Sequence, residues 1–162
     1  MSTVVNGLDE ITALTGTDLG RSGWMEVTQE RVNTFADATG DHQWIHVDTA
    51  RAATGPFGGT IAHGYLTLSM VIPLFAELLE VTGVSMGINY GLNKVRFPAP
   101  VPVGSKVRLA AAVAGVEPVG DGQAVQLTAD ITVDVDGGTK PACVAQAIYR
   151  YYARARSRPG AC

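Results

Sequence analysis

Residues 60–79 read TIAHGYLTLSMVIPLFAELL, a long apolar stretch around which the rest of the sequence is expected to fold. Apolar residues occupy nearly every position after the first, so the pattern predicts a single helix of roughly 18 residues that spans about 27 Å. Because this helix has no polar face, protein must surround it on all sides. Pro73 predicts a bend in the helix or one carbonyl without a partner.

The second half of the chain predicts β-strands. Between residues 125 and 135 apolar and polar side chains alternate, which is typical of a strand in a sheet with one face in water. The turn Asp136-Gly137-Gly138 leads into a strand that ends near Tyr152. Three further strands are predicted at residues 24–27, 87–97 and 106–116. An α+β fold follows, in which an antiparallel sheet of about five strands wraps around one long central helix.

A second helix is predicted before this core. Thr28 is suited to cap a helix at Gln29–Thr39, and Gly40 is a typical helix stop. Residues 41–59 lack a regular pattern and contain Gly-Pro and Gly-Gly pairs. They therefore predict an irregular segment.

Length and composition limit the class of protein. The 162 residues predict one domain at 1–152, followed by a flexible basic tail at 153–162. Twelve Lys and Arg against fifteen Asp and Glu leave a net charge of −3, which argues against a nucleic-acid partner. Only 17% of the residues are charged, against about 25% in a typical domain, so the composition predicts an oligomer that withdraws surface from water.

No membrane partner is expected. The longest apolar run covers residues 70–76, whereas about 20 residues are needed to span a bilayer. The first residues lack the basic start and apolar stretch of a secretory signal. Cys143 and Cys162 cannot form a disulfide framework. The sequence therefore predicts a cytoplasmic protein.

All three histidines, His42, His46 and His63, fall within 22 residues, so any acid–base centre is expected there. Asp41 precedes His46 by five positions, and a carboxylate and an imidazole could together hold a water and move its protons. Two other interpretations stay open. Asp41 could be a turn residue beside a buried His46, and His42 with His46 could bind a metal if the segment were helical.

Three blocks resemble the MaoC-like (R)-specific enoyl-CoA hydratases, especially the nodulation-protein-N-like actinobacterial branch of that family. The first block is Gly40-Asp41 followed by His46, the second is IAHGYLT at residues 61–67, and the third is NYGLNKVRFPAPV at residues 89–101. The resemblance implies the hot-dog fold, in which an antiparallel sheet curls around a long helix, and it implies a dimer.

The resemblance also implies roles for single residues. Asp41 and His46 would bind and activate water as catalytic residues, and the backbone N–H of Gly64 would receive the thioester carbonyl oxygen. The family commonly has Asn-Pro where this chain has Gln43-Trp44. Gln43 could still orient the water, whereas Trp44 could reshape the pocket.

Three residues are expected to bind substrate: Gln43, His63 and Arg96. Arg96 is a candidate for the phosphates of coenzyme A. For His63 two roles stay open, a third acid–base group or a structural hydrogen-bonding residue at the start of the central helix.

The activity implied by the resemblance is that of a hydro-lyase, which adds water reversibly to a trans-2-enoyl-CoA and gives an (R)-3-hydroxyacyl-CoA, with no metal and no redox cofactor. The substrate would be a small acyl-CoA, and an acyl-carrier-protein thioester is an alternative because the reacting thioester is the same. Two other functions remain open, a hot-dog acyl-CoA thioesterase and a non-catalytic acyl-thioester-binding subunit. An unpaired sheet edge recruits another chain, which predicts a homodimer.

Overall fold

A computed structural model of the protein describes residues 2–155. Within that range the helices lie in the first half of the chain, and four long strands follow them. The strands are β1 (Thr3–Asn6), β2 (Asp18–Arg21), β3 (Met25–Glu26), β4 (Leu79–Thr82), β5 (Val84–Arg96), β6 (Lys106–Val119), β7 (Ala124–Val135) and β8 (Cys143–Ala153). The helices are α1 (Gly7–Thr12), α2 (Gln29–Thr39), α3 (Trp44–Val47), α4 (Thr49–Ala53), α5 (Gly64–Ser69) and α6 (Val71–Ala76).

One antiparallel sheet forms the body of the molecule. Its strands follow the order β2-β6-β7-β8-β5, and β3 also pairs with β6. Along β6 and β7 buried residues alternate with less buried ones, so one face of the sheet covers the core and the other meets water. The expected α+β, hot-dog architecture is confirmed, as is the turn between β7 and β8, where Gly137 has a φ of 72°.

The predicted strands differ from the observed ones in detail. β5 begins at Val84, three residues before its predicted start, and the strand expected at residues 24–27 is reduced to Met25–Glu26. β2 was not predicted, because Asp18–Arg21 contains a glycine and two charges and shows no alternation. β1 and β4 were also missed, and they form a separate parallel pair.

The single helix predicted at residues 60–79 is wrong. The structure divides that stretch into α5 and α6, with a break at Met70, and the chain becomes β4 at Leu79. Pro73 explains the break, because it has no N–H to donate to the carbonyl of Ser69 and its ring crowds that carbonyl. Residues before Gly64 stay extended, since Ile61 bridges to Pro102 in place of continuing a helix.

The apolar helices are not enclosed on every side within one chain. Leu66, Leu74 and Phe75 are buried in the core, whereas Tyr65 and Ile72 are 73% and 54% exposed. Ile72 lines a groove of about 230 Å³ that lies between the two helices and strands β5 and β8. The expectation that protein surrounds the helices therefore fails for the isolated chain.

Helix α2 begins and ends where its capping residues predicted. The Thr28 hydroxyl accepts a hydrogen bond from the N–H of Arg31 at the start of α2, and Gly40 ends the helix with a φ of 78°. Residues 41–59 are more regular than predicted, since they contain α3 and α4. Asp48 explains part of this order, because its carboxylate caps α4 through the N–H of Arg51.

No helix within residues 2–155 is long and apolar enough to cross a membrane. β8 extends to Ala153, one residue beyond the predicted end of the domain. Most of the predicted basic tail, residues 156–162, lies outside the described residues.

Candidate active site

Three side chains that the sequence singled out lie together. One carboxylate oxygen of Asp41 and one ring nitrogen from each of His46 and His63 lie within 4.8 Å of one another. Asp41 follows α2, His46 lies on α3, and His63 immediately precedes α5. The cluster is therefore assembled from three neighbouring segments of one chain.

The hydrogen bonds of His46 fix which of its ring nitrogens is available. The ring is 6% exposed, and Nδ1 lies 2.7 Å from the carbonyl oxygen of Ile61. Because a carbonyl can only accept a hydrogen bond, Nδ1 carries the hydrogen and Nε2 keeps its lone pair. His46 can therefore accept a proton or a hydrogen bond through Nε2.

Asp41 offers the cluster a carboxylate that reaches water. Its side chain is 52% exposed, and one carboxylate oxygen lies 4.0 Å from Nε2 of His63. The other oxygen accepts a long hydrogen bond of 3.4 Å from the backbone N–H of Gln43. A carboxylate that is open to water and lies within 4.8 Å of a His46 ring nitrogen can hold a water and take its proton.

His63 packs against His46, lies close to Asp41 and is 3% exposed. Its Nε2 lies 2.9 Å from the backbone carbonyl oxygen of Asp41, so Nε2 carries the hydrogen and donates it. The His63 ring stacks on the His46 ring, with 3.8 Å between centroids and 24° between planes, and Phe35 lies 4.9 Å away. Nδ1 of His63 is buried and has no hydrogen-bond partner among residues 2–155.

Gly64 is the first residue of α5, so its N–H has no acceptor within the helix. The need for glycine comes from packing. A Cβ at this position would lie 3.2–3.3 Å from three ring atoms of Phe97. The Phe97 ring therefore rests directly on the Gly64 backbone.

The amide of Gln29 ties the His46 segment to the strand before α5. Its Nε2 donates to the backbone oxygen of His46 at 2.8 Å, and its Oε1 accepts from the hydroxyl of Thr60 at 2.6 Å. Neither Gln29 nor Phe97 was predicted as a site residue. The glutamine opens α2, and no local sequence pattern distinguishes it from an ordinary helix residue.

The remaining predicted substrate-binding residues lie at the surface. Gln43 is exposed at the start of α3. Arg96 is exposed at the end of β5, where its guanidinium donates to the backbone oxygen of Val95. Neither side chain contacts the Asp41–His46–His63 cluster through a hydrogen bond within residues 2–155.

The indole of Trp44 packs within its own segment. The guanidinium of Arg51 lies 4.3 Å from the ring centroid, and a Cβ on Gly55 would lie 3.0 Å from the indole. The helix that follows therefore accommodates this large residue, and the absence of a side chain at Gly55 makes room for it.

The metal-site interpretation based on His42 and His46 is wrong. α3 begins at Trp44, so His42 is not on a helix with His46, and its Nε2 lies 2.8 Å from a carboxylate oxygen of Asp37. This hydrogen bond to Asp37 raises the pKa of His42.

Comparison with known proteins places the chain in a family. The protein-family model described as "MaoC like domain" matches residues 10–135 of the chain. The 3-hydroxyacyl-thioester dehydratase Z of Mycobacterium tuberculosis (strain ATCC 25618 / H37Rv) is 58% identical over 144 residues, which cover 89% of this chain and 95% of that protein. The nodulation protein N of Rhizobium meliloti (strain 1021) is 40% identical over 161 residues, which cover 95% and 96% of the two chains.

A solved structure shows the same fold. The (R)-hydratase from A. caviae involved in PHA biosynthesis superposes with a TM-score of 0.66 and 25% identity, over 83% of this chain and 94% of that chain. The family match, the two relatives and the fold agree with the family and branch that the three sequence blocks indicated. The chain therefore belongs to the MaoC-like dehydratase family, and it is an enzyme of the hydro-lyase class.

Proposed function

We propose that the chain catalyses the reversible hydration of a trans-2-enoyl-CoA to an (R)-3-hydroxyacyl-CoA. The observation that carries this proposal is the open carboxylate of Asp41 close to His46, whose Nε2 is left over by the bond from Nδ1 to Ile61. The dehydratase and (R)-hydratase named among its relatives catalyse chemistry of this class, which supports the assignment.

In the proposed reaction Asp41 and His46 hold one water between them. Asp41 accepts a proton from this water as the water oxygen attacks C3 of the substrate. His46 holds the water through Nε2 and orients it for protonation at C2, and the proton that Asp41 has taken from the water passes to C2, which leaves Asp41 and His46 as they began. The O–H bond of water breaks and the C3–O and C2–H bonds form, so the sum is the addition of one water.

The backbone N–H of Gly64 is the proposed partner of the thioester oxygen. During attack on C3, negative charge moves onto that oxygen as enolate character develops. An N–H without an acceptor in its own helix can stabilise this charge. The reaction as proposed needs no metal and no redox cofactor.

The proposed substrate is an acyl thioester of coenzyme A, and a thioester of an acyl carrier protein presents the same reacting group. We propose Gln43 and Arg96 as substrate contacts at the surface, Arg96 for an anionic phosphate. The cytoplasmic location expected from the sequence stays a prediction.

A homodimer is part of the proposal. β5 pairs only with β8 among the described strands, so its other edge is open. Large apolar side chains are exposed along this strand, namely Met86, Ile88, Tyr90 and Leu92. An open edge with exposed apolar side chains suits a second copy of the chain.

The test is an assay of the purified protein with crotonyl-CoA and longer trans-2-enoyl-CoAs. Loss of enoyl absorbance, with (R)-3-hydroxyacyl-CoA found by chiral analysis, is the expected result. Asp41→Asn, which keeps the shape of the side chain and removes the base, serves as the matched inactive control. Release of free thiol would indicate the thioesterase, and tight binding without turnover would indicate the non-catalytic subunit.

A further inference from the structure

We propose that His63 is the positioning residue of the Asp41–His46 pair, acting as a neutral imidazole with its hydrogen on Nε2 and not as a contact for substrate. The proposal deepens the hydratase function above and rests on it for its kinetic part. Its structural part stands on the hydrogen bonds and ring contacts of His63 alone.

His63 is bonded to the backbone of Asp41. Its residue lies after the end of α2, and its own backbone N–H makes only a 3.5 Å contact with the hydroxyl of Thr39. The 2.9 Å bond from Nε2 of His63 to the Asp41 carbonyl is the short hydrogen bond that joins this residue to another segment within residues 2–155. His63 therefore holds the backbone that carries the carboxylate.

His63 also restrains the ring of His46. Its ring has one edge fixed by the carbonyl of Ile61 and one face covered by the His63 ring, at 3.8 Å between centroids. An edge contact alone leaves the imidazole able to swing about that bond. The stacked face restrains this motion and so fixes the direction of the Nε2 lone pair.

His63 is too buried to contact substrate. With 3% exposure and Nε2 committed to Asp41, it has almost no surface for a substrate. Its Nδ1 is buried without a partner among residues 2–155, which lowers stability relative to an apolar ring of similar shape. A histidine with a buried, unpaired nitrogen is therefore expected to contribute to activity more than to stability.

Two substitutions separate the two contacts of His63. His63→Phe keeps a flat ring against His46 and removes the donor to Asp41, whereas His63→Gln keeps a donor near the position of Nε2 and removes the ring. His42→Gln is the matched control, since it makes the same replacement at an exposed histidine that pairs with Asp37.

Both His63 variants are expected to lower kcat by at least about tenfold while KM changes by less than about twofold, because the reacting groups move and substrate contacts do not. The thermal midpoint of His63→Phe is expected to change little, because removal of the unpaired buried Nδ1 offsets the loss of the donor to the Asp41 carbonyl. His42→Gln is expected to keep kcat within about twofold. Unaltered kcat in both His63 variants would overturn the proposal.

Ring nitrogen-15 NMR gives a readout that does not depend on activity. The chain has three histidines, and the variants assign their signals. We expect the Nε2–H tautomer for His63 and the Nδ1–H tautomer for His46, with ring-current shifts on the His46 protons that persist in His63→Phe and vanish in His63→Gln. An Nδ1–H tautomer or a charged ring for His63 at pH 7 contradicts the proposal.

The two proposals can fail separately. If the unaltered protein hydrates no enoyl-CoA, the proposed function is wrong, and the NMR spectra alone decide the role of His63. If His63→Phe does not fold, His63→Gln and the spectra of the unaltered protein decide it. If hydration occurs and the spectra show the other tautomer, only the role of His63 is wrong.

Discussion

His46→Asn is expected to abolish catalysis while leaving the fold almost intact. The ring of His46 makes two separable contributions, a hydrogen bond from Nδ1 to the Ile61 carbonyl at 2.7 Å and a free lone pair on Nε2. An asparagine amide nitrogen lies near the position of Nδ1, so it keeps the bond to Ile61 and removes Nε2. Loss of an acid–base group typically costs about 10²–10⁴-fold in rate, and we expect kcat to fall by that factor.

His46→Leu is the comparison that tests the structural half of this argument. Leucine removes Nε2 as well, but it also leaves the buried carbonyl of Ile61 without its donor. An orphaned buried polar group costs about 1–3 kcal/mol, so the leucine variant is expected to be less stable than the asparagine variant by that amount.

The assays are crotonyl-CoA hydration for kcat and urea unfolding for the free energy of unfolding. Equal loss of kcat in the two variants, together with unequal stability, is the expected pattern. A kcat for His46→Asn within about threefold of the unaltered value would refute the role given to Nε2. Equal stability of the two variants would refute the weight given to the Ile61 bond.

Three further outcomes are expected. Gly64→Ala places a Cβ 3.2–3.3 Å from the Phe97 ring and is expected to lower kcat by about tenfold, whereas Gly59→Ala, where nothing lies within 4 Å, leaves kcat unchanged. In a Cys162→Ser variant, Cys143 is the single thiol, and burial raises its pKa to about 11. This thiol should therefore resist a thiol reagent at pH 8 until denaturant is added, and rapid reaction of the native protein would contradict the expectation. Light scattering at micromolar concentration should give the mass of a dimer, and an active species near 17 kDa would exclude it.

Local signals in the sequence predicted local structure well. Thr28 and Gly40 marked both ends of α2, since a cap and a left-handed glycine act within one turn of the helix. The alternation of apolar and polar residues along β7 correctly predicted which face of the strand is buried, because neighbouring side chains of a strand point to opposite faces. Pro73 predicted a bend or an unpaired carbonyl, whereas the end of α5 before Met70 was not predicted, because the effect of Pro73 falls on a carbonyl four residues earlier.

The residues of the candidate site also fall into two groups, those that the sequence indicated and those that only the fold brings to the site. Asp41, His46 and Gly64 could be predicted as site residues because their residue types carry chemistry and their spacing resembles a family. Gln29 and Phe97 were missed because their contacts with the site depend on the fold. The glutamine reaches 17 residues along the chain to the His46 backbone and 31 residues to Thr60, and no pattern in the sequence reports such contacts.

The packing of Trp44 against Gly55 has a consequence for how this segment can evolve. A larger residue at position 55 would first meet the indole, where a Cβ already comes within 3.0 Å, and would lower stability. A small residue at position 44 would first leave a hole beside Gly55 and remove the surface on which Arg51 rests. Each single step is unfavourable, although the two together could restore the packing. The two positions are therefore coupled, and lineages that carry the tryptophan are expected to keep the glycine.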